Sequence, residues 1–120
     1  MNKFHARRTQ GLTSLTTYDS KGEMLRAEYL KQEQREGKIS DLKEKPSIEL
    51  VAGIKYKPDF SYVQGGRTVY EDYKGGRATM AGRFPTIVKL WRAFGPGPLL
   101  ITTKTRGFWA TIKTIYPEEE

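Results

Sequence analysis

The stretch Lys57-Pro-Asp-Phe-Ser-Tyr-Val-Gln-Gly-Gly-Arg-Thr-Val-Tyr-Glu-Asp-Tyr-Lys-Gly75 decides the fold. Aromatic and β-branched residues fill two arms around Gly65-Gly66, a pair suited to a two-residue turn with positive φ. With those glycines as the loop, Gln64 pairs with Arg67, and counting back along both arms sets Asp59 opposite Asp72. Opposed residues of an antiparallel pair share a face, with Cβ atoms roughly 4.5–5.5 Å apart. Lys74 lies two residues beyond Asp72 and shares that face. A three-residue loop would instead set Glu71 opposite Asp59.

Like charges placed directly opposite destabilise a strand pair, so the two aspartates call for compensation. A divalent cation supplies it. Mg²⁺ takes one or two carboxylates and completes its shell with waters and phosphate oxygens. The alternative is a solvated face on which Lys74 is an ordinary salt-bridge partner.

Pro58-Asp59 followed by Asp72-Tyr73-Lys74 resembles the signature of the PD-(D/E)XK nuclease superfamily, whose two halves sit on adjacent strands of a hairpin. Tyr18-Asp19-Ser20-Lys21-Gly22-Glu23 is similar to the segment that opens the first helix in a family of small phage endonucleases, itself similar to the Holliday-junction resolvases. The order of helix glutamate, strand aspartate, Asp-X-Lys and glycine is shared, and the resemblance covers about residues 3–104. It implies an α+β restriction-endonuclease-like core, a mixed central sheet flanked by helices. It implies Mg²⁺, with Mn²⁺ able to substitute, held by Asp59, Asp72 and the Tyr73 carbonyl. Glu23 would bind a second metal or position the water, with Glu28 as the alternative helix acid. Lys74 would orient the water or stabilise the charge growing on phosphorus. The activity implied is structure-selective cleavage of branched DNA, leaving a 5′-phosphate. Symmetric cuts across a four-way junction need two active sites, hence a homodimer. A phage-encoded enzyme of this kind would work in the cytoplasm of its bacterial host.

Composition is compatible with that reading. A chain of 120 residues is expected to form one domain with a modest core, carrying a basic arm at 1–10 and an acidic tail at 117–120. The formal charge of +7 and pI of about 9.7 favour a polyanionic partner, nucleic acid before membrane. The absence of cysteine excludes disulfides, thiolate metal sites and thiol catalysis, and suits a reducing compartment. No apolar run approaches the ~20 residues that span a membrane, and the first ten residues lack the apolar centre of a signal peptide.

Along the chain, Met1–Gln10 holds Lys3, His5, Arg7 and Arg8 without an acid, the composition of an arm that wraps a phosphate backbone. His5 has no partner at catalytic or ligand spacing. Leu12–Tyr18 leads in extended form to a helix capped by Asp19 or Ser20, with Ser20 and Glu23 at capping-box spacing and Gly37 at its stop. Glu23, Ala27 and Leu30 share a stripe. Ile39–Lys43 is extended. Ser47–Val51 is a strand after Pro46, and Gly53 turns into a hairpin with arms Lys55–Val63 and Arg67–Lys74. Gly75-Gly76 would let a DNA backbone approach the site. Phe84, Ile87, Val88, Trp91 and Phe94 recur at helical spacing and are expected in the core, with Pro85 in the first turn and Gly95-Pro96 at the end. Leu99–Thr103 suits a buried strand, and Phe108–Ile115 an edge strand after Arg106-Gly107. Lys3, Arg7, Arg8, Lys21, Arg77, Arg83, Lys89 and Arg92 are the candidate DNA contacts. One rival is a nuclease of the same type with other specificity, either sequence-specific or a nonspecific nickase; a rival of another class is a basic DNA- or RNA-binding module in which the charged hairpin carries no chemistry.

Overall fold

The computed structural model describes residues 9–10, 17–18, 20–75 and 83–118. Its elements are β1 (Thr9–Gln10), β2 (Thr17–Tyr18), α1 (Lys21–Arg35), β3 (Ser40–Glu44), β4 (Ile48–Val51), β5 (Ile54–Tyr56), β6 (Phe60–Gln64), β7 (Arg67–Tyr73), α2 (Phe84–Phe94), β8 (Leu99–Thr105) and β9 (Phe108–Ile115). The main sheet runs β3-β6-β7-β8-β9. Only β7 and β8 pair in parallel, joined through α2, so the sheet is mixed and the fold is α+β.

Alternation along the central strands separates two cores. Val69 of β7, Phe60 and Tyr62 of β6 and Leu100 of β8 pack with Met24, Ala27 and Leu30 of α1. Tyr70 of β7 and Leu99 and Ile101 of β8 point the other way, to Phe84 and Trp91 of α2. The two helices therefore cover opposite faces, as period-two strands require. Trp91 is fully buried, edge-on to Tyr56 and Tyr70, and its Nε1 donates to the Gly97 carbonyl at 2.7 Å.

The Gly65-Gly66 turn has φ of 62° and 76°, and Gln64 pairs with Arg67. The two-residue loop is therefore the one adopted, and Phe60 faces Glu71 one step before Asp59 and Asp72. Ala52-Gly53 and Arg106-Gly107 also have positive φ at both positions, the geometry that matches strand twist in tight hairpins.

Two expectations are corrected. The first hairpin arm is not one strand from 55 to 63. It breaks at Lys57-Pro58-Asp59, and β5 pairs with β4 in a separate ribbon whose Leu50 joins the α2 core. Buried Pro58 has no N–H for a ladder, which explains the break. Phe94 leaves the core at 50% exposure, because the apolar stripe of α2 ends against the sheet at Trp91. The first helix ends as expected: Arg35 is its last residue, Glu36 its C-cap, and Gly37 follows with φ of 79°. The final strand lies at the sheet edge as expected.

Candidate active site

The site forms where β6 begins and β7 ends, beside the first turn of α1. Ser20 caps α1, its Oγ accepting the Glu23 N–H at 3.1 Å. The carboxylate of Glu23 is thus free to leave the cap, and it reaches Lys45, whose Nζ donates to Oε2 at 2.8 Å. Lys45 sits just past β3 with φ of 52°, and its N–H donates to the Asp59 carbonyl at 2.8 Å. That left-handed residue turns the chain at the end of β3.

Asp59 and Asp72 clasp each other through the backbone. The Asp59 N–H donates to Asp72 Oδ1 at 2.9 Å, and the Tyr73 N–H donates to Asp59 Oδ2 at 2.8 Å. Each carboxylate is fixed by one such bond. Lys74 Nζ lies 3.9 Å from Asp72 Oδ2 and 4.6 Å from the Phe84 ring centre. The strand pairing extended from the hairpin turn thus brings Asp59, Asp72 and Lys74 together, and α1 brings Glu23.

Electrostatics follow from burial. Asp72 is 4% exposed. Desolvation pushes its carboxyl up to about 6, against the pull of Lys74 and of the Asp59 N–H, with the Glu23 charge pushing the same way as burial. Desolvation and then the Glu23 charge push Asp59 up to about 7, against the Tyr73 N–H, Lys45 and Lys74. Burial and a neighbouring acid both disfavour the charged form of a carboxyl.

The donor set suits Mg²⁺ or Mn²⁺: hard carboxylate oxygens, partly fixed, beside a cation that can meet phosphate. Among the described residues no three His, Asp or Glu side chains gather into a metal shell. Asp59 and Asp72 would be the protein ligands, and waters and phosphate oxygens would complete the shell, the usual way Mg²⁺ is held.

Glu71, the alternative partner of Asp59, is committed elsewhere. It is fully buried on the α1 face, where Arg26 grips it with Nε at 2.6 Å and Nη2 at 2.8 Å, and Tyr62 Oη donates to it at 2.6 Å. Burial works against the Arg26 charge, but the hydrogen bond and charge of Glu71 prevail and its pKa is raised. Arg26 also lies over Tyr29 and Trp109, at 5.0 and 5.2 Å from their ring centres. Glu28 pairs with Lys31 at 3.5 Å, and Lys31 also reaches Glu44, which ties Glu28 into an ion-pair group of its own helix and β3.

Tyr73 lies with its ring against the first turn of α1. A Cβ on Gly22 would sit 2.6 Å from the Tyr73 Cζ, so the glycine beside Glu23 is what lets helix and strand meet. Sequence reasoning missed Lys45 and the Arg26–Glu71–Tyr62 group. Arg26 did leave a signal, a charge among the buried positions Met24, Ala27 and Leu30.

Of the candidate DNA contacts, Lys21, Arg83, Lys89 and Arg92 are exposed. Lys3, Arg7, Arg8 and Arg77 lie outside the described residues, as do His5, Asp19, Gly76 and most of Leu12–Tyr18. No described helix is long and apolar enough to cross a membrane. No curated protein and no solved structure matches this chain. Residues 1–89, which contain Glu23, Lys45, Asp59, Asp72 and Lys74, match the model of a protein family of unknown function, DUF1064, and the chain belongs to that family.

Proposed function

We propose that the protein is a metal-dependent endodeoxyribonuclease of the PD-(D/E)XK type, selective for branched DNA and acting as a homodimer. The observation that carries this reading is the reciprocal clasp of Asp59 and Asp72 at the end of the β6–β7 hairpin, with Lys74 beside it. Two buried acids whose carboxyls are raised towards neutrality, beside a lysine, are the kind of group that functional sites concentrate.

Asp59 and Asp72 would hold Mg²⁺, with the Tyr73 carbonyl as a further oxygen. A bound Mg²⁺ supplies polarisation of the scissile phosphate and a lowered pKa for water. Lys74 orients the attacking water or faces the negative charge that grows on the phosphate oxygens, a contact worth most where water is excluded. Phe84 beneath its ammonium restricts where that charge can go. Lys45 holds the Glu23 carboxylate at the mouth of the site, where Glu23 positions water or a second cation. The product would carry a 5′-phosphate. Net charge of +7 supports a DNA partner, whose phosphates a basic face can position. A cytoplasmic setting is part of the same proposal.

The test is a labelled four-way junction incubated beside a linear duplex in Mg²⁺, together with a supercoiled plasmid extruding a cruciform. Paired cuts at the junction support the proposal. Equal cutting of the duplex would leave a general nuclease. Tight binding without any cleavage would favour a non-catalytic nucleic-acid-binding module.

A further inference from the structure

Phe84 faces two ways. Lys74 of the candidate site lies over its ring, and Phe84 also lines a pocket of about 330 Å³ between α2 and β9. Phe84, Pro85 and Val88 give this pocket an apolar lining, while Lys89 and Arg92 of α2 and Lys113 of β9 bring three cations to it. None of the six lining residues is an acid. The nearest described acid by backbone contact is exposed Glu118, whose N–H donates to the Arg92 carbonyl at 2.7 Å. The volume lies at the small end of the ~300–1,000 Å³ common for small-ligand pockets, enough for one flat heterocycle.

We propose that this pocket holds one unstacked nucleotide of the DNA strand under attack, its base against Phe84, Pro85 and Val88 and its flanking phosphates on Lys89, Arg92 and Lys113. The inference rests on the nuclease reading for the identity of the strand, and deepens it by naming what the enzyme senses. An apolar lining alone would fit many ligands. Three cations and no acid among the described lining residues favour a polyanion, and the shared Phe84 wall ties that polyanion to the strand whose phosphate meets Lys74. Removing a base from an intact duplex costs unstacking and unpairing, and costs least where the base is already unpaired or mismatched. A pocket that demands an unstacked base therefore favours a branch point over a continuous duplex without reading sequence. Aromatic and apolar walls accept any base for the same reason.

The test uses the full chain in EDTA, so that the DNA stays intact. A four-way junction carries 5-iododeoxyuridine at a branch nucleotide, and ultraviolet light cross-links the base to whatever it touches. The cross-link is expected in the peptide containing Phe84 to Arg92. A Lys89→Ala/Arg92→Ala/Lys113→Ala variant changes only exposed side chains; it should lose about tenfold or more in junction affinity and lose the cross-link. An Asp72→Asn variant should keep both. A cross-link in that peptide from a protein that cuts no DNA would uphold the pocket and sink the nuclease reading. Cleavage by a protein whose cross-link maps elsewhere, with unchanged affinity in the triple variant, would overturn the pocket and leave the nuclease standing.

Discussion

Glu71 and Asp72 are neighbours in sequence, yet neutralising Asp72 should stabilise the metal-free protein. Asp72 faces the candidate site, and burial lifts its carboxyl from 3.8 to about 6. One pKa unit corresponds to 1.36 kcal/mol, so holding this group ionised in the folded state costs about 3 kcal/mol at pH 8. Asp72→Asn keeps an oxygen to accept the Asp59 N–H and removes the charge. The expected gain is about 1–3 kcal/mol at pH 8 in EDTA, the lower end allowing for the lost attraction to Lys74. The sign with pH follows. A carboxyl whose folded pKa lies above its unfolded value binds more protons when folded. Its contribution is therefore favourable at low pH and is lost as pH rises from about 4 to about 6 for Asp72, and to about 7 for Asp59. The difference between variant and wild type should vanish near pH 4 and be full at pH 8. Urea unfolding followed by tryptophan fluorescence reads this directly. Addition of Mg²⁺ at a hundred times its Kd should return about 2.7 kcal/mol to the wild type, and less to the variant. A variant that is less stable at pH 8, or a difference that does not change with pH, would show that the Asp72 charge does not strain the folded protein.

Three further outcomes follow. Glu71→Ala strands the buried Arg26 guanidinium and should cost about 3–5 kcal/mol in the same unfolding assay; a cost under 1 kcal/mol would show that the Arg26–Glu71–Tyr62 group is dispensable. Gly22→Ala should destabilise by about 1–3 kcal/mol despite alanine's better helix propensity, because its Cβ meets the Tyr73 ring; a gain of about 1 kcal/mol would mean that propensity wins. Removing Arg7 and Arg8 together should flatten the slope of log DNA affinity against log salt through lost counterion release, and an unchanged slope would show that the arm leaves phosphate untouched.

Local patterns in the sequence carried the hairpin, its two-residue turn, both helices and the edge strand. Turn chemistry at Gly65-Gly66 fixes a register, and register fixes which side chains meet, so Asp59 and Asp72 were legible from counting alone. Lys74 followed from parity. What escaped were contacts between distant elements. Nothing local ties Lys45 to Glu23, because the link depends on a left-handed residue at the end of β3 and on how α1 docks. Arg26 and Glu71 are 45 positions apart and meet only because α1 lies on the Val69 face of β7. The break at Pro58 was written in the sequence as a missing N–H, but the aromatic character of both flanks masked it. Phe94 was misplaced because helical spacing predicts a stripe without saying where the sheet beneath it ends.

The most direct measurement is single-turnover cleavage of a labelled four-way junction by wild type and Asp72→Asn, with binding measured on the same samples. Wild type is expected to cut in Mg²⁺, not in EDTA, and to leave 5′-phosphate ends. Asp72→Asn is expected to bind undiminished with cleavage lowered by at least about 10²-fold, the scale of losing one group that stabilises transition-state charge. Wild type that binds but never cuts, or Asp72→Asn that cuts at the wild-type rate, would rule out Asp72 as a ligand of a catalytic cation.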